Sequence, residues 1–409
     1  MRLFSSKAMK GPRRAGVLGA ALAAAVVSAV PGGVSTAAPA GTTDLSGAAG
    51  THTAPRAAAE CGTAPYQAEV TRSGTEWTAR NGAAVVYTGP VMREAVQAAI
   101  GSLTPGRTSR ERVVVRDSGT MSANTRISLP SHTAIDACGT ITVTGSGSGD
   151  RAPIYARGAT DIEVGHLSVT GAPPYGIFLR NVSNVTLGDI DLRLSGGLGI
   201  RIDNHGDRSR PSRDITIDHV YVSGTSAHGV ETYGVDGLTI GTVVARDTGY
   251  SGLLLNDTVH ATVGRVDAVG AGSGTGYAAF RTANRNGRVG GGYPTNIHVG
   301  EVIARGGGRG VFCVSESGGL TIDRVRLTDT GNNAVLIENC HNVRLATRGG
   351  TVSGGGEIRL AARSEFANNS DVTVENLTVS DSAVREDPCG VNTTFRNITL
   401  DNSWMDVCS

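Results

Sequence analysis

Two carboxylates in neighbouring glycine-initiated runs have the residue types and spacing that could do chemistry. Asp203 belongs to the run GIRIDN (199–204), and Glu231 belongs to the run GVETYG (229–234). Strand alternation would turn both carboxylates outward, and adjacent stacked turns would place them on a diagonal of roughly 8 Å. Carboxyl groups about 6.5–9.5 Å apart leave room for a water molecule, as in inverting glycoside hydrolysis. The pair could therefore divide the acid and base roles of such a reaction.

Polar and aromatic residues near the two carboxylates are candidates for contacting a substrate. They are Arg201, His228, Tyr233, Asn256, Arg281, Asn284 and Arg285. The same register predicts outward columns that continue through Leu254 and Asn256, then through Phe280 and Thr282. Structural roles compete with these assignments, because Glu231 could simply pair with Arg201, and Asp203 could cap its own turn. An arginine at a cleft edge suits a carboxylate or sugar hydroxyls, but it could equally anchor a loop.

A repeat of 23 residues must position these side chains. Alternating aliphatic residues interrupted by Gly or Asp start at Ile162, with further copies at Val185, Ile215, Leu238, Ala261, Ile297, Leu320 and Val372, and weaker copies at Val343 and Ile398. Each unit continues into a third alternating run of the GIRIDN type. Period-2 alternation indicates strands, and a fixed period of this length indicates a solenoid. Three short strands per unit predict one turn of a parallel β-helix, stacked about 4.8 Å from the next turn.

This pattern resembles the right-handed parallel β-helix proteins of the pectin-lyase-like superfamily, from roughly Met92 to the C-terminus. The resemblance implies an all-β, single-stranded right-handed solenoid. The superfamily includes glycoside hydrolases, polysaccharide lyases, pectin esterases, uronan epimerases and phage tailspikes. The resemblance therefore implies the fold and a carbohydrate-related role, without selecting one catalytic family.

Interruptions of the repeat indicate where a ligand would bind. Val185 to Ile215 spans 30 residues instead of 23, and Ala261 to Ile297 spans 36. Most of the extra length forms the segments 204–213 and 281–295, which both follow a third strand. Insertions in repeat arrays cluster on the binding face. Two such loops with two short turns between them predict a cleft for an extended polymer.

Composition and the chain termini set the remaining boundaries. The 409 residues include 58 glycines and only 4% aromatics, and the net charge is +1, so nothing indicates a nucleic-acid or membrane partner. A basic stretch followed by an apolar run and small residues predicts a secretory signal peptide over 1–40. A flexible linker is expected over 41–60 and the β-helix domain over 61–409, with a cap and irregular first turns over 61–145. The spacing of Val91 to Leu103 predicts a capping helix.

Six cysteines follow the predicted signal peptide. An even number in a secreted chain indicates disulfides, and six cysteines allow 15 pairings. The repeat register favours Cys313 with Cys340, and local pairing then gives Cys61–Cys138 and Cys389–Cys408. No CxxC or histidine-rich spacing indicates a metal, and no cofactor is expected.

These observations predict a secreted, extracellular enzyme that degrades a polysaccharide or oligosaccharide, most simply a glycoside hydrolase using Glu231 and Asp203. A polysaccharide lyase is the first alternative. In that case Arg281 or Arg285 would neutralise a uronate, and Tyr233, His228 or another Arg would take the C5 proton. Two features count against the lyase: both lysines of the chain lie in the predicted signal peptide, and no dense acidic cluster for calcium is visible. A carbohydrate-binding or adhesin-like solenoid is the second alternative, and the oligomeric state stays open.

Overall fold

The computed structural model describes residues 60–408. The predicted signal peptide over 1–40 lies outside the described residues, as does nearly all of the predicted linker over 41–60. Among the described residues, no helix is long and apolar enough to cross a membrane. Secretion and the domain boundaries therefore stay predictions.

The first part of the described chain departs from the repeat. Its elements are β1 (Ala68–Ser73), β2 (Glu76–Asn81), β3 (Ala84–Gly89), α1 (Met92–Gly101), β4 (Glu111–Val115), β5 (Gly119–Ser122) and β6 (Thr133–Thr144). Strands β1 to β3 form an antiparallel meander, and β1 joins the coil by pairing in parallel with β4. Met92, Val96 and Ile100 are buried along one face of α1, at the spacing that lets a helix pack against strands. The helix lies within the range that its spacing predicts.

The remainder of the chain winds into a parallel coil. Its strands are β7 (Ile154–Arg157), β8 (Thr160–Gly171), β9 (Tyr175–Arg180), β10 (Ser183–Leu194), β11 (Leu198–Asp203), β12 (Ser212–Ser223), β13 (Val230–Tyr233), β14 (Val235–Arg246), β15 (Leu253–Asn256), β16 (Val259–Val269), β17 (Phe280–Ala283), β18 (Ile297–Arg305), β19 (Val311–Leu345), β20 (Gly350–Ala361), β21 (Ser370–Ser380), β22 (Ala383–Glu386), β23 (Thr394–Asp401) and β24 (Trp404–Asp406). Long strands β8, β10, β12, β14, β16 and β18 pair in parallel in succession. Short strands β7, β9, β11, β13, β15 and β17 form a second parallel stack. Strand β19 joins both stacks, so the predicted parallel β-helix is confirmed.

Small aliphatic side chains fill the interior of the coil. In β8 the buried residues alternate as Ile162 and Val164, then shift by one and resume as Leu167 and Val169, because the strand bends in between. Glycines stack at this bend, and a Cβ atom added at Gly188 would clash with the carbonyl oxygen on the preceding turn. The two predicted strands at the start of each unit are therefore one strand that turns a corner.

The pairing confirms most of the predicted register and corrects its last unit. Val185 pairs with both Ile162 and Ile215, as the 23-residue repeat predicts despite the longer second interval. The predicted copy starting at Ile398 is wrong, since Ile398 pairs with Leu377 at a separation of 21 residues. The final turn is shorter than the repeat, and matching of aliphatic residues alone missed that change.

The three predicted disulfides are confirmed. Cys313 is bonded to Cys340 on the neighbouring turn, Cys61 to Cys138 among the first turns, and Cys389 to Cys408 in the last described turn. Their sequence separations are 27, 77 and 19 residues respectively. These bonds tie the interior of the coil and both of its described ends, and such cross-links restrict the unfolded chain.

Candidate functional site

The outer face of the short-strand stack carries the predicted site residues in two columns. The first column contains Tyr155, Phe178, Arg201, Glu231, Leu254, Arg281 and Phe312. The second column contains Arg157, Arg180, Asp203, Tyr233, Asn256 and Ala283. The predicted stacking of Arg201 with Glu231 and of Asp203 with Tyr233 is therefore confirmed. These two columns form the floor of the candidate site.

The predicted outward positions of Phe280 and Thr282 are wrong. Both side chains are fully buried in the coil, and Arg281 and Ala283 take the outward positions instead. The glycine that opens most of the other third runs is replaced by Ala279 in this turn, so the run lacks the residue that marks where the strand begins. The correction places Arg281 two turns from Glu231 in the first column, so a cation faces the same floor.

Asp203 is saturated with hydrogen bonds. Arg180 donates from Nε to Oδ1 at 2.5 Å and from Nη2 to Oδ2 at 2.8 Å, and Arg201 Nε donates to Oδ2 at 2.8 Å. The backbone N–H of His205 donates to Oδ1 at 3.3 Å. Burial opposes ionisation of Asp203, yet the two arginines outweigh it and lower its pKa. A carboxylate offers about four acceptor positions, so none is left for a water or a sugar.

Glu231 differs from Asp203 because its pKa is raised rather than lowered. Its side chain is 8% exposed, Arg201 Nη1 donates to Oε2 at 2.8 Å, and Asn256 Nδ2 donates to Oε1 at 3.2 Å. Burial raises the pKa of this carboxyl, and the nearby negative charge of Asp203 adds to the rise, while Arg201 only partly opposes it. A buried carboxyl that tends to hold its proton suits a proton donor.

Several residues that were predicted to contact the substrate hold Glu231 in place instead. Arg201 bridges the two carboxylates of the floor through separate nitrogens. Asn256 is itself fixed by Asn284, whose Nδ2 donates to Asn256 Oδ1 at 2.9 Å. Both amides are therefore engaged with protein groups. Tyr233 is partly exposed next to them, and its hydroxyl makes no hydrogen bond among residues 60–408.

An aromatic corner borders the floor on the side where β13 begins. His228 accepts a hydrogen bond at Nδ1 from the Ser251 backbone N–H at 3.1 Å, and burial lowers the pKa of His228 to about 3. The imidazole is therefore neutral with its proton on Nε2, so it can donate a hydrogen bond but has no free lone pair. Tyr250 and Tyr277 stack at 4.0 Å and meet the His228 ring edge-on. Such rings offer apolar faces to a sugar.

The two inserted loops border the floor on the side where the short strands end. Arg208 in the first loop forms an ion pair at 2.8 Å with Asp257, which follows β15 two turns further on. Arg285 in the second loop pairs with Glu316 at 3.1 Å, so it anchors the loop. Burial raises the pKa of Asp257, and the two arginines only partly oppose this. The first loop thus runs along the coil axis beside the floor.

Arg281 is a cation without a carboxylate partner among residues 60–408. It forms no salt bridge there, its Nε is buried without a hydrogen-bond acceptor, and its guanidinium lies 5.2 Å from the Phe312 ring centroid. Burial lowers the pKa of Arg281, although Glu231 partly opposes this, and guanidinium groups in proteins stay charged. Buried polar atoms normally have partners, so this nitrogen points to a ligand.

Sequence reasoning missed two arginines of this face. Arg180 occupies the second column one turn before Asp203, so the column register of the run GIFLRN (176–181) was a sufficient signal for it. Arg309 lies in the corner before β19, and no pattern distinguishes it there. No group of three or more His, Cys, Asp or Glu side chains in the described part of the chain could hold a metal ion.

The fold and this face define a parallel β-helix with a row of charged side chains on the outer face of its short strands. No protein-family model and no curated protein matches the sequence. Similar solved structures include the A-module of the mannuronan C-5 epimerase AlgE4 of Azotobacter vinelandii, with 15% identity and a TM-score of 0.46 over 78% of this chain and 94% of that chain. A family 28 exopolygalacturonase of Yersinia enterocolitica has 10% identity and a TM-score of 0.33 over 81% and 82%. The Streptococcus pneumoniae surface adhesin PfbA has 13% identity and a TM-score of 0.28 over 76% and 89%.

Proposed function

We propose that the protein cleaves an acidic polysaccharide, with Glu231 as the proton donor to the leaving sugar oxygen. The observation that carries the proposal is the contrast between Glu231 and Asp203 on one floor. Glu231 is buried with a raised pKa, and Asp203 is locked by two arginines. A glycan lying along the floor would have the tyrosine corner on one side and the inserted loops on the other.

A polysaccharide can be cleaved by hydrolysis or by β-elimination, and this geometry supports β-elimination better. Elimination from a uronate needs a cation for the carboxylate, a base for the C5 proton and an acid for the leaving oxygen. Arg281 supplies a cation with no carboxylate partner in residues 60–408, and Glu231 supplies the acid. Tyr233 lies two residues from Glu231, roughly 7 Å along the strand, and carries the hydroxyl that we assign as the base.

The step balances without a cofactor. Tyr233 first releases its hydroxyl proton to solvent, and its oxygen then takes the C5 proton. The C5–H electron pair forms a C4=C5 double bond as the C4–O bond breaks. The leaving oxygen receives the proton of Glu231. His228 is excluded as the base because its Nδ1 lone pair is already occupied by Ser251.

Hydrolysis by a glycoside hydrolase remains the second candidate, and the character of Asp257 favours it. The predicted base, Asp203, has no free acceptor position, so hydrolysis would need another carboxylate to activate water. Asp257 directly follows Asn256, its side chain is largely buried, and its ion pair with Arg208 leaves acceptor positions open. In that case Asp257→Asn would abolish activity.

A polysaccharide panel separates these reactions. Polygalacturonate, alginate, glucuronoxylan and neutral xylan are incubated with the protein, and both reducing ends and the ultraviolet absorbance of an unsaturated uronate are followed. Elimination gives both signals, and Tyr233→Phe removes them, whereas the matched control Tyr221→Phe on the opposite sheet leaves them unchanged. Reducing ends without the chromophore would indicate hydrolysis. Binding without any cleavage would favour the adhesin-like alternative.

A further inference from the structure

A cavity of about 520 Å³ lies at the corner where the short strands begin, in the last described turns of the coil. Its lining includes Glu357, Asp381, Ala383, Asn402 and Trp404. The first column of the floor continues from Glu231 through Leu254, Arg281, Phe312, Leu336, Arg359 and Arg385 to Asp406. These are seven turns, or roughly 34 Å at 4.8 Å per turn. The cavity is therefore separate from the candidate site.

Trp404 is an exposed aromatic residue that does not belong to the core. It pairs with Ala383, and the following Met405 pairs with Val384, which is fully buried. Because side chains alternate along a strand, Trp404 lies on the outer face. It is 53% exposed, whereas Trp77, the other tryptophan of the chain, is 3% exposed. A large ring exposed at the wall of a cavity is suited to contact a ligand.

The turn between Trp404 and Glu357 carries only a methyl group on this column. Ala383 pairs with Trp404, and its successor Val384 pairs with Ile358, which follows Glu357. Trp404 and Glu357 are therefore two turns apart on one column, roughly 10 Å along the coil. The small side chain of Ala383 leaves a slot between the indole and the carboxylate, and this slot has space for one sugar ring.

The polar groups of the cavity are acceptors that the corner holds in place. Asn402 Nδ2 donates to Asp381 Oδ1 at 2.6 Å, and Ser382 Oγ donates to the Gly356 carbonyl oxygen at 2.6 Å. Asp381 forms no salt bridge with residues 60–408, and its carboxylate keeps acceptor positions for hydroxyl groups. No Arg, Lys or His from the described part of the chain lines the cavity. An anionic sugar would be repelled here, unlike at the floor.

We propose that this cavity binds a neutral sugar unit, which stacks on Trp404 and donates hydroxyl hydrogen bonds to Asp381. The apolar C–H face of a pyranose matches an indole, and the hydroxyl groups at its rim match acceptors next to that indole. The site goes beyond the proposed function, because binding here requires neither Glu231 nor a uronate. It would hold a neutral stretch or branch of a glycan at a distance from the reacting bond.

The test titrates the protein with xylohexaose, cellohexaose and mannohexaose, followed by calorimetry and tryptophan fluorescence. We expect at least one of them to saturate the wild type at millimolar concentration or below and to change the emission of Trp404. Trp404→Ala should weaken this binding by roughly tenfold or more, and Trp404→Phe should keep part of it. Tyr66→Ala is the matched control, because Tyr66 is an exposed aromatic residue among the first turns. It should bind like wild type.

The charge of the ligand is tested with Asp381→Asn and with a glucosamine hexamer. The amide keeps an acceptor oxygen, so binding of a neutral sugar should fall only a few-fold, whereas binding of a cationic sugar would be lost. Binding of the glucosamine hexamer without binding of any neutral hexaose would overturn the assignment.

The remaining outcomes separate this site from the proposed function. If no neutral hexaose binds, or if binding survives in Trp404→Ala, the site is wrong, and cleavage that depends on Glu231 would still stand. If a hexaose binds while Glu231→Gln keeps full activity, only the proposed function fails. Thermal unfolding shows whether each variant is folded, and the wild-type emission with Trp404→Phe tests the site even if Trp404→Ala does not fold.

Discussion

The two ends of the groove floor use arginine in opposite ways. Around Asp203, the guanidinium groups of Arg180 and Arg201 fill the acceptor positions of a carboxylate that is 1% exposed. Around Phe312, neither Arg281 nor Arg309 forms a salt bridge with residues 60–408, and each keeps a buried nitrogen without a hydrogen-bond partner. The charge of Glu338 only partly opposes the lowering of the Arg309 pKa by burial. Both ends lie on the same strand stack and are built from the same residue type.

This difference separates structure from recognition on a single face. In the cluster of Asp203, Arg180 and Arg201, every acceptor position of the carboxylate is occupied by a protein group. This cluster can therefore fix the floor, but its carboxylate cannot exchange protons or bind a sugar. The cations at the other end keep nitrogens without hydrogen-bond partners among residues 60–408, so they can still bind an anion. Glu231 lies between the two ends and touches only the cluster around Asp203, through Arg201. Arg201 and Asn256 each donate to a different oxygen of Glu231, so its orientation is fixed while each oxygen keeps an acceptor position.

Replacing Glu231 should give the largest change in activity. We expect Glu231→Gln to lower kcat/KM by roughly 10²–10⁴-fold, because the residue would no longer give a proton to the leaving oxygen. In the wild type, activity should fall as pH rises through the raised pKa of Glu231, and stability should not suffer from the substitution, because ionising this buried carboxyl opposes folding. The pH profile of kcat/KM for both proteins checks this, since the variant should lose that limb. An unchanged profile would place the proton donor elsewhere.

Replacing Asp203 should change stability more than chemistry. Asp203→Asn leaves two guanidinium groups without their carboxylate, and we expect the free energy of unfolding to fall by about 3 kcal/mol or more. Because the pKa of Asp203 is lowered from 3.8, its contribution is present above that value and is lost as the solution becomes more acidic than its folded pKa. Urea unfolding at neutral and acidic pH measures both effects. The exposed pair of Asp191 with Arg193 supplies a control, Asp191→Asn, with little expected effect.

Replacing Arg309 should have the smallest effect on stability. Arg309→Met removes a buried charge that forms no salt bridge with the described residues, so the free energy of unfolding should stay within about 1 kcal/mol of wild type or rise. Urea unfolding under the conditions used for Asp203→Asn gives the comparison. A loss as large as that of Asp203→Asn would mean that both ends of the floor are structural.

The repeat in the sequence predicted the strand register and which side chains face outward. The 23-residue register assigns Arg201, Asp203, Glu231 and Tyr233 to the outer face, because each residue meets its equivalent on the next turn. It also places Cys313 and Cys340 on neighbouring turns, although they are 27 residues apart and not equivalent positions. The register failed where a turn lacked its glycine or changed its length. The shift at Phe280 is the first case, and the pairing of Ile398 with Leu377 is the second.

The state of each site residue could not be read from periodicity. Whether Asp203 is free or saturated depends on the path of the Arg180 side chain, which a column assignment does not contain. The neutral form of His228 follows from its burial, and its tautomer follows from one backbone N–H on the next turn. Whether Arg309 forms a salt bridge depends on where Glu338 and Glu357 find their partners. These are choices among nearby side chains, and the repeat leaves several of them equally possible.

The ion pair between Arg208 and Asp257 makes one rim of the groove sensitive to the salt concentration of the solution. Arg208 is half exposed, so dissolved ions can screen this pair, whereas the pair of Arg180 with Asp203 is shielded by the protein. Ionic strength will therefore act on the loop before it acts on the strands beneath it. In concentrated salt we expect the rim to loosen over an unchanged base, and exchange of the glycan proposed above should then become faster.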